Sequence, residues 1–349
     1  MSQLVENLCG RLAAKEPVAV VGGNTKSFLG GRLSDEPVSM LEHSGIVNYE
    51  PTELVLTAKS GTSVKDIELC LKDARQMLPF EPPRFGAETT LGGVMASGLS
   101  GPRRVQLGSA RDCVLGVRLI NGLGQHLKFG GEVMKNVAGY DLARLSVGAY
   151  GTLGILTEVS VKVLPIPDKE QTQVIECSQA RAMETLIRFG RRPYPISAAV
   201  WVEGALSIRL SGAGNGVESA ARSIGGETLA DADQFWNSLR DLNHVQFDQE
   251  NEWLWRVSVA PTTPSDKIDS FCVDWGGGLR WVKTDPEDFS LFKLAASFGG
   301  HATCFARKRK LGTGMQPLEP DILRLNQRVK EAMDPFGLIN RGRLLEGRH

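Results

Sequence analysis

The stretch from Thr90 to Gly154 constrains this chain more than any other. Three glycine-rich turns, TLGGVMASGLSG, RDCVLG and VGAYGTLGILTE, fall there at spacings that neither a β-hairpin nor a helix repeat would use. Glycine weakens strands and helices and is useful mainly where φ must be positive or where backbone must approach something bulky. The turns therefore predict short strands whose connecting loops lie against a large bound group.

At 349 residues the chain is long enough for two domains and can bury a large cofactor. VAVVG (18–22), ELVLTAK (53–59), VLGVRLIN (114–121) and EVSVKVLP (158–165) alternate apolar, often β-branched residues and predict strands. Between the second and third, Val64, Ile67, Leu71 and Ala74 recur at helical spacing, with Thr62 or Ser63 as the cap. Pro165 and Pro167 in LPIPDKEQ break the last strand and mark a boundary. Beyond it, QTQVIECS, ARAMETLIRFG, PISAAVWVEG, ALSIRLSG and VESAARSIGG predict strand, helix, strand, strand, helix. LWRVSVA, LRWVKT, SLFKLAASFGG and HATCFAR follow as strand, strand, helix, strand. Two passes of a split β-α-β pattern are expected to give a ferredoxin-like antiparallel sheet with helices on one face. A charged amphipathic helix then runs toward Pro335 and Gly337. The expected organisation is α+β: residues 1–167, 168–320 and a returning tail, 321–349.

Composition narrows the function classes. Lysine plus arginine equals aspartate plus glutamate at 40 each, so no whole-chain field favours nucleic acid or an anionic membrane. The opening MSQLVENLCGR has no apolar core, and the longest uncharged runs are short and rich in glycine, so a cytoplasmic location is expected. Any inner-membrane association would come through partners. The six cysteines show no CxxC pair and the five histidines no HxH, HxxxH or HExxH, so no metal is expected. Neither GxGxxG nor GxxxxGK[ST] is present, which removes the Rossmann and P-loop signatures.

Several segments carry chemistry. Val21-Gly22-Gly23 ends a strand and leads into Asn24-Thr25-Lys26-Ser27, a run that suits an anion nest and equally an ordinary strand-to-loop turn. Thr90-Leu91-Gly92-Gly93 continues through Ala96, Gly98 and Gly101, and Gly108-Ser109-Ala110-Arg111-Asp112 through Leu115 and Gly116. Arg111 and Asp112 suit an ion pair that fixes the turn. Lys135-Asn136-Val137-Ala138-Gly139-Tyr140-Asp141-Leu142, followed by Gly148 to Ile155, is the longest motif in fixed register. Near the end stands Asp334-Pro335-Phe336-Gly337-Leu338-Ile339-Asn340-Arg341-Gly342-Arg343.

Together these segments resemble the FAD-binding domain of the vanillyl-alcohol oxidase/PCMH-type flavoprotein family. They match its TxGGxxAxxxSG turn in part, its GxxRDxVLG and KNxxGYDLxxLxxGSxGTLGIIT segments closely, and its DPxGxxNPGK tail with Arg341 in place of the proline. The resemblance implies a PCMH-type FAD-binding domain followed by a ferredoxin-like cap. It places the cofactor against Val21 to Ser27, Leu91, Gly92, Gly93, Ala96, Gly98, Gly101, Gly108, Ser109, Arg111, Asp112, Leu115, Gly151, Gly154, Ile155 and Asn340, with Arg341 as an extra guanidinium for an anion. Many relatives bind flavin covalently through a histidine in the first loop; Asn24 and no histidine stand here, so FAD is expected to be held non-covalently.

As catalytic residues the resemblance suggests Tyr140 near the flavin ring, His301, and Arg280 with Arg307 as carboxylate clamps. The histidine-rich cap segment of catalytic 2-hydroxy-acid oxidising members is missing, and only GGHAT stands in its place. The implied function is the FAD-binding subunit of a glycolate oxidase complex, oxidising glycolate or D-lactate with a larger FAD-containing subunit and an iron–sulfur subunit as partners. A scaffold or electron relay, and a stand-alone oxidase of alcohols or sugars, remain as alternatives.

Overall fold

The computed structural model describes residues 2–131, 141–248, 252–306 and 314–344. Its first half opens with α1 (Gln3–Ala13), capped by the Ser2 side chain, which accepts the Val5 N–H. One apolar stripe, Val5, Leu8 and Leu12, buries that helix. β1 (Ala19–Val21) and β2 (Pro37–Ser39) pair in parallel. β3 (Ile46–Glu50), β4 (Val55–Lys59), β6 (Val114–Ile120), β7 (His126–Gly130) and β8 (Ile155–Lys162) build an antiparallel sheet in the order β3-β4-β8-β6-β7. The central strand β8 is buried along nearly its whole length, as a strand covered on both faces must be. β5 (Gln76–Met77) and β9 (Leu164–Pro165) form a short separate pair.

Helix α2 (Val64–Asp73) starts where Ser63 accepts the Asp66 N–H at 3.0 Å, and buries Val64, Ile67 and Leu71. Of the two expected caps, Ser63 is the one used. With α3 (Leu91–Ser97) it covers one sheet face in a core that includes Leu56, Leu91, Val94 and Val159. The short helices α4 (Arg104–Leu107), α5 (Ala110–Cys113) and α6 (Leu142–Ser146) complete this half.

The second half is one antiparallel sheet of eight strands: β10 (Lys169–Glu176), β11 (Ile196–Val202), β12 (Ala205–Gly212), β13 (Glu227–Thr228), β14 (Trp253–Ser258), β15 (Cys272–Asp274), β16 (Leu279–Thr284) and β17 (His301–Cys304). Their order is β13-β10-β12-β11-β15-β16-β14-β17. Strands 1 to 4 of the first pass thus lie as 4-1-3-2 and those of the second as 2-3-1-4. This is the ferredoxin-like order written twice in opposite directions, joined where β11 pairs with β15. α7 (Gln179–Phe189), α8 (Gly214–Ile224) and α10 (Ser290–Ser297) cover one face. The three-residue β15 and helix α9 (Ala232–Arg240) were not anticipated from the sequence pattern.

The other face of this sheet meets the first half. Leu29, Leu99, Phe28 and Phe85 from the first half pack with Trp236, Trp275, Trp281 and Phe305 of the second. Phe28 lies edge-on to Phe305 at 5.8 Å and Phe305 edge-on to Trp281 at 5.2 Å, geometries that add to area burial. A largely buried carboxylate, Glu81, completes the seam. It accepts from Arg103 Nε at 2.9 Å and from Arg209 Nη2 at 2.9 Å, while Arg103 Nη2 reaches Glu170 at 2.6 Å. Burial alone would raise the Glu81 pKa, but Arg209 and Arg103 hold it below its ordinary value.

Helix α11 (Pro320–Met333) leads the chain back to the first half. Asp334, buried, accepts the N–H groups of Leu338 at 3.0 Å and Ile339 at 2.8 Å, and Ile339 bridges Val18 in parallel.

Candidate functional site

The main cavity, about 800 Å³ of empty space, lies where β1, the loop after it, the first turn of α3, the 150–151 turn and the tail converge. Of the residues anticipated from sequence, it gathers Val21 to Ser27, Gly92, Gly93, Ala96, Gly151 and Asn340. It adds Met40, Ser60, Thr90, Tyr150 and Arg343, among others. Thr90 and Tyr150 stood inside recognised motifs; Ser60 and Met40 carried no sequence signal, and pairing of distant segments puts them there.

Packing of the chain on itself demands the first glycines. A Cβ on Gly22 would enter Thr90 Oγ1, and one on Gly23 would enter the Glu88 carbonyl. The loop is thereby pressed onto the turn before α3. Beyond it, the N–H groups of Gly23, Asn24, Thr25 and Lys26 have no acceptor among the described residues, and Asn24 takes the left-handed φ of +52°. Successive free amides of this kind form an anion-binding concavity. Lys26 is buried, and desolvation pushes its pKa down to about 8. The Ser60 hydroxyl, buried in the cavity wall, also lacks a partner. Unpaired amide donors, a buried ammonium and an orphaned hydroxyl are a donor set that fits the phosphates and polar chain of FAD.

Asn340 staples the wall. Its Oδ1 accepts the Val20 N–H at 2.9 Å, and its Nδ2 donates to the Gly151 carbonyl at 3.0 Å. Arg341, expected as a guanidinium for an anion, is instead taken by Asp35 in a two-point ion pair. Arg343 takes the cavity position and donates to the Gly31 carbonyl at 2.9 Å.

The remaining anticipated cofactor residues lie off the cavity wall. Leu91 is buried at the start of α3, and Gly98 ends that helix in the left-handed conformation against Gly148. Gly108 turns the chain at φ +93° before α5. The expected Arg111–Asp112 pair is replaced by a capping box in which Asp112 Oδ2 accepts the Ser109 N–H at 2.9 Å and its hydroxyl at 2.8 Å. Those bonds lower the Asp112 pKa, and Arg111 is exposed. Leu115 belongs to β6, Gly154 packs on Leu119, and Ile155 pairs with Ile120. Asp141 caps α6 and accepts the Arg144 N–H at 3.0 Å.

A second cavity, about 380 Å³, lies on the seam and is walled by Phe85, Leu99, Trp281 and Phe305, with Gly101, Arg240, Arg256 and Asp274 as polar members. Arg240 is matched by Asp241 at 2.8 Å. Trp275 beside it donates its indole N–H to the Gly101 carbonyl at 3.1 Å, tying the halves together. The anticipated catalytic residues do not assemble in either cavity. Arg280 is fully buried and donates to the carbonyls of Thr263 and Pro264, and His301 is exposed at the start of β17. Tyr140 and Arg307 lie outside the described residues.

Comparison with known proteins agrees with this geometry. Residues 5–130 match the family described as FAD binding domain. The chain is 45% identical over 342 residues to glycolate oxidase subunit GlcE of Escherichia coli K12, covering 98% of this chain and 96% of that protein. It is 32% identical over 159 residues to glycolate oxidase subunit GlcD of Bacillus subtilis, covering 45% of this chain and 33% of that protein. In fold it is similar to alkyldihydroxyacetonephosphate synthase, with a TM-score of 0.68 at 16% identity over 96% of this chain and 73% of the other.

Proposed function

The chain belongs to the family of the glycolate oxidase subunit GlcE, FAD-dependent oxidoreductases, and from that premise we propose that it is the flavin-bearing subunit of a glycolate oxidase complex. The reaction in this reading takes glycolate, and D-lactate beside it, to the 2-oxo acid, with electrons leaving through an iron–sulfur partner beside a larger FAD-containing subunit. The observation that carries it is the run of acceptor-free amides from Gly23 to Lys26 in the large cavity, next to a seam lined by aromatic rings. No helix among the described residues is long and apolar enough to cross a membrane, so contact with the inner membrane would fall to partners.

FAD, when bound, supplies the two-electron acceptor. The chain's own residues do the rest. Gly23 to Lys26 hold the phosphates, with the Lys26 ammonium compensating their charge. Asn340 fixes the 150–151 turn beside them. Phe28, Phe85, Trp281 and Phe305 keep water from the seam. Without a histidine in the first loop the flavin stays non-covalent. The reading divides the chain into a flavin domain (1–167), a cap (168–320) and a returning tail (321–349), supported by the two separate sheets and the Ile339–Val18 bridge.

A second reading, a flavin scaffold or electron relay for a catalytic partner, is favoured by the placement of the anticipated catalytic residues: Arg280, bonded to the Thr263 and Pro264 carbonyls, and His301 lie outside both cavities. An anaerobic addition of glycolate to the purified chain separates the two. Bleaching of the flavin spectrum by the chain alone supports direct oxidation. A spectrum that bleaches only with the partner subunits present supports the relay. Acid precipitation of the same sample should release the flavin; flavin left on the pellet overturns non-covalent binding.

A further inference from the structure

Arginines 103 and 104 are adjacent in sequence and opposite in circumstance. Arg103 is bonded to Glu81 and Glu170, whereas the guanidinium of half-buried Arg104 makes no hydrogen bond or ion pair among the described residues. Its guanidinium lies 4.2 Å from the centre of the Trp275 ring. Arg256, from β14 of the other half, lies 4.8 Å from the same ring centre, and its guanidinium likewise has no hydrogen-bond or ion-pair partner among the described residues. Burial, and then repulsion from Arg104, pushes the Arg256 pKa down to about 10.

Among the described residues no carboxylate pairs with either guanidinium, although Asp112 acts on Arg104 and Asp274 on Arg256 through space. Asp274 shares the second cavity with Arg256 but forms no ion pair with it; it accepts the Trp275 N–H at 2.6 Å, and burial pushes its carboxyl up to about 7. Arg240 is already matched by Asp241. His301 feels both arginines, and desolvation followed by their repulsion lowers its pKa, so it is neutral near pH 7. Two desolvated, unmatched guanidiniums are costly to fold around and mark a place that awaits an anion.

The place is also suitable for a small one. Trp275 is fixed by its bond to Gly101, the adjoining cavity carries the rings of Phe85, Trp281 and Phe305, and Tyr150, which lines the large cavity, lies in the electrostatic reach of Arg256. We propose that Arg104 and Arg256, one from each half, together hold the carboxylate of the 2-hydroxy acid over Trp275. The inference rests on the glycolate reading and assigns its substrate contact. Arginine is suited to the task because its planar fork pairs with both carboxylate oxygens.

Calorimetric titration of the FAD-loaded chain with oxalate, a carboxylate with no hydride to give, tests it. Wild type should bind one oxalate, and Arg104→Met and Arg256→Met should each weaken binding about 10- to 100-fold, as loss of a charge-assisted bond does, while FAD affinity stays unchanged. Arg324→Met on the exposed face of α11 is the control. If Arg256→Met fails to hold flavin, Arg104→Met carries the same reading from the other half. No oxalate binding by wild type, or equal binding by the folded variants, overturns the clamp. Arginine-dependent oxalate binding with glycolate left unoxidised by the complete complex keeps the clamp and overturns the substrate. Glycolate bleaching with unchanged half-saturation in both variants does the reverse.

Discussion

The two arginine neighbourhoods on the seam differ in one respect, and it separates holding the halves together from receiving a ligand. Around Glu81, Arg103 and Arg209 are matched by carboxylates within hydrogen-bond distance, and Glu170 serves Arg103 from β10. Around Trp275, Arg104 and Arg256 share an aromatic ring and no carboxylate. A matched buried cation is part of the architecture; an unmatched one leaves a task for something that binds. Lys26 belongs with the second group, since it too has no acceptor among the described residues and its nearest ring is Phe85 at 5.4 Å.

Breaking the matched group should have the largest effect. Glu81→Leu strands the buried Arg209 guanidinium and leaves Arg103 with Glu170 alone, and is expected to lower stability by about 3–5 kcal/mol, read as an earlier midpoint in urea or thermal unfolding. In wild type the Glu81 contribution has a pH signature. Its folded pKa is depressed, so the stabilisation is full above the ordinary carboxyl value and is lost as pH falls through the folded one. An acid limb unchanged by the substitution would remove Glu81 from the seam's energetics.

Lys26 sharpens the other side. With its pKa near 8, the ammonium is charged below that pH and must recapture a proton to meet phosphate above it. FAD affinity, followed by flavin fluorescence, should be flat below pH 8. Above it the affinity should decline by up to about tenfold per pH unit toward the ordinary lysine value. Lys26→Met should abolish that slope; a slope that survives places the phosphates elsewhere. The smallest effect is expected for Arg256→Met in unfolding: removing an unmatched cation should leave stability within about 1 kcal/mol of wild type or raise it. A large loss would mean that Arg256 is structural after all.

Much of the fold was legible because its signals are local. Val64, Ile67 and Leu71 sit one helical turn apart beside a serine cap, and the repeated strand-helix order announced a doubled ferredoxin-like sheet. β15 was not legible, because Cys272–Asp274 is only three residues long, too short for a period to show, and is held as strand by β11 and β16. In the site, Val21 to Ser27, expected against the cofactor, line the cavity, and Gly22 and Gly23 also make room for Thr90 and Glu88. Ser60 reaches the wall because its N–H bonds Thr157 at 2.8 Å, a partner no local pattern reveals. Nor can sequence separate Arg103 from Arg104: the difference is made by Glu81 and Glu170, residues placed beside one of them only in the folded chain.

The Asn340 staple has a consequence for how the molecule comes into being. Val20 and Gly151 emerge from the ribosome early, and the whole cap follows before the residue that joins them is made. Contacts of such separation close slowly. The nascent chain therefore carries a half-built wall throughout synthesis, and flavin loading belongs to the finished polypeptide. A message truncated between codons 321 and 339 would encode every strand of the second sheet and still lack the residue that closes the cofactor chamber.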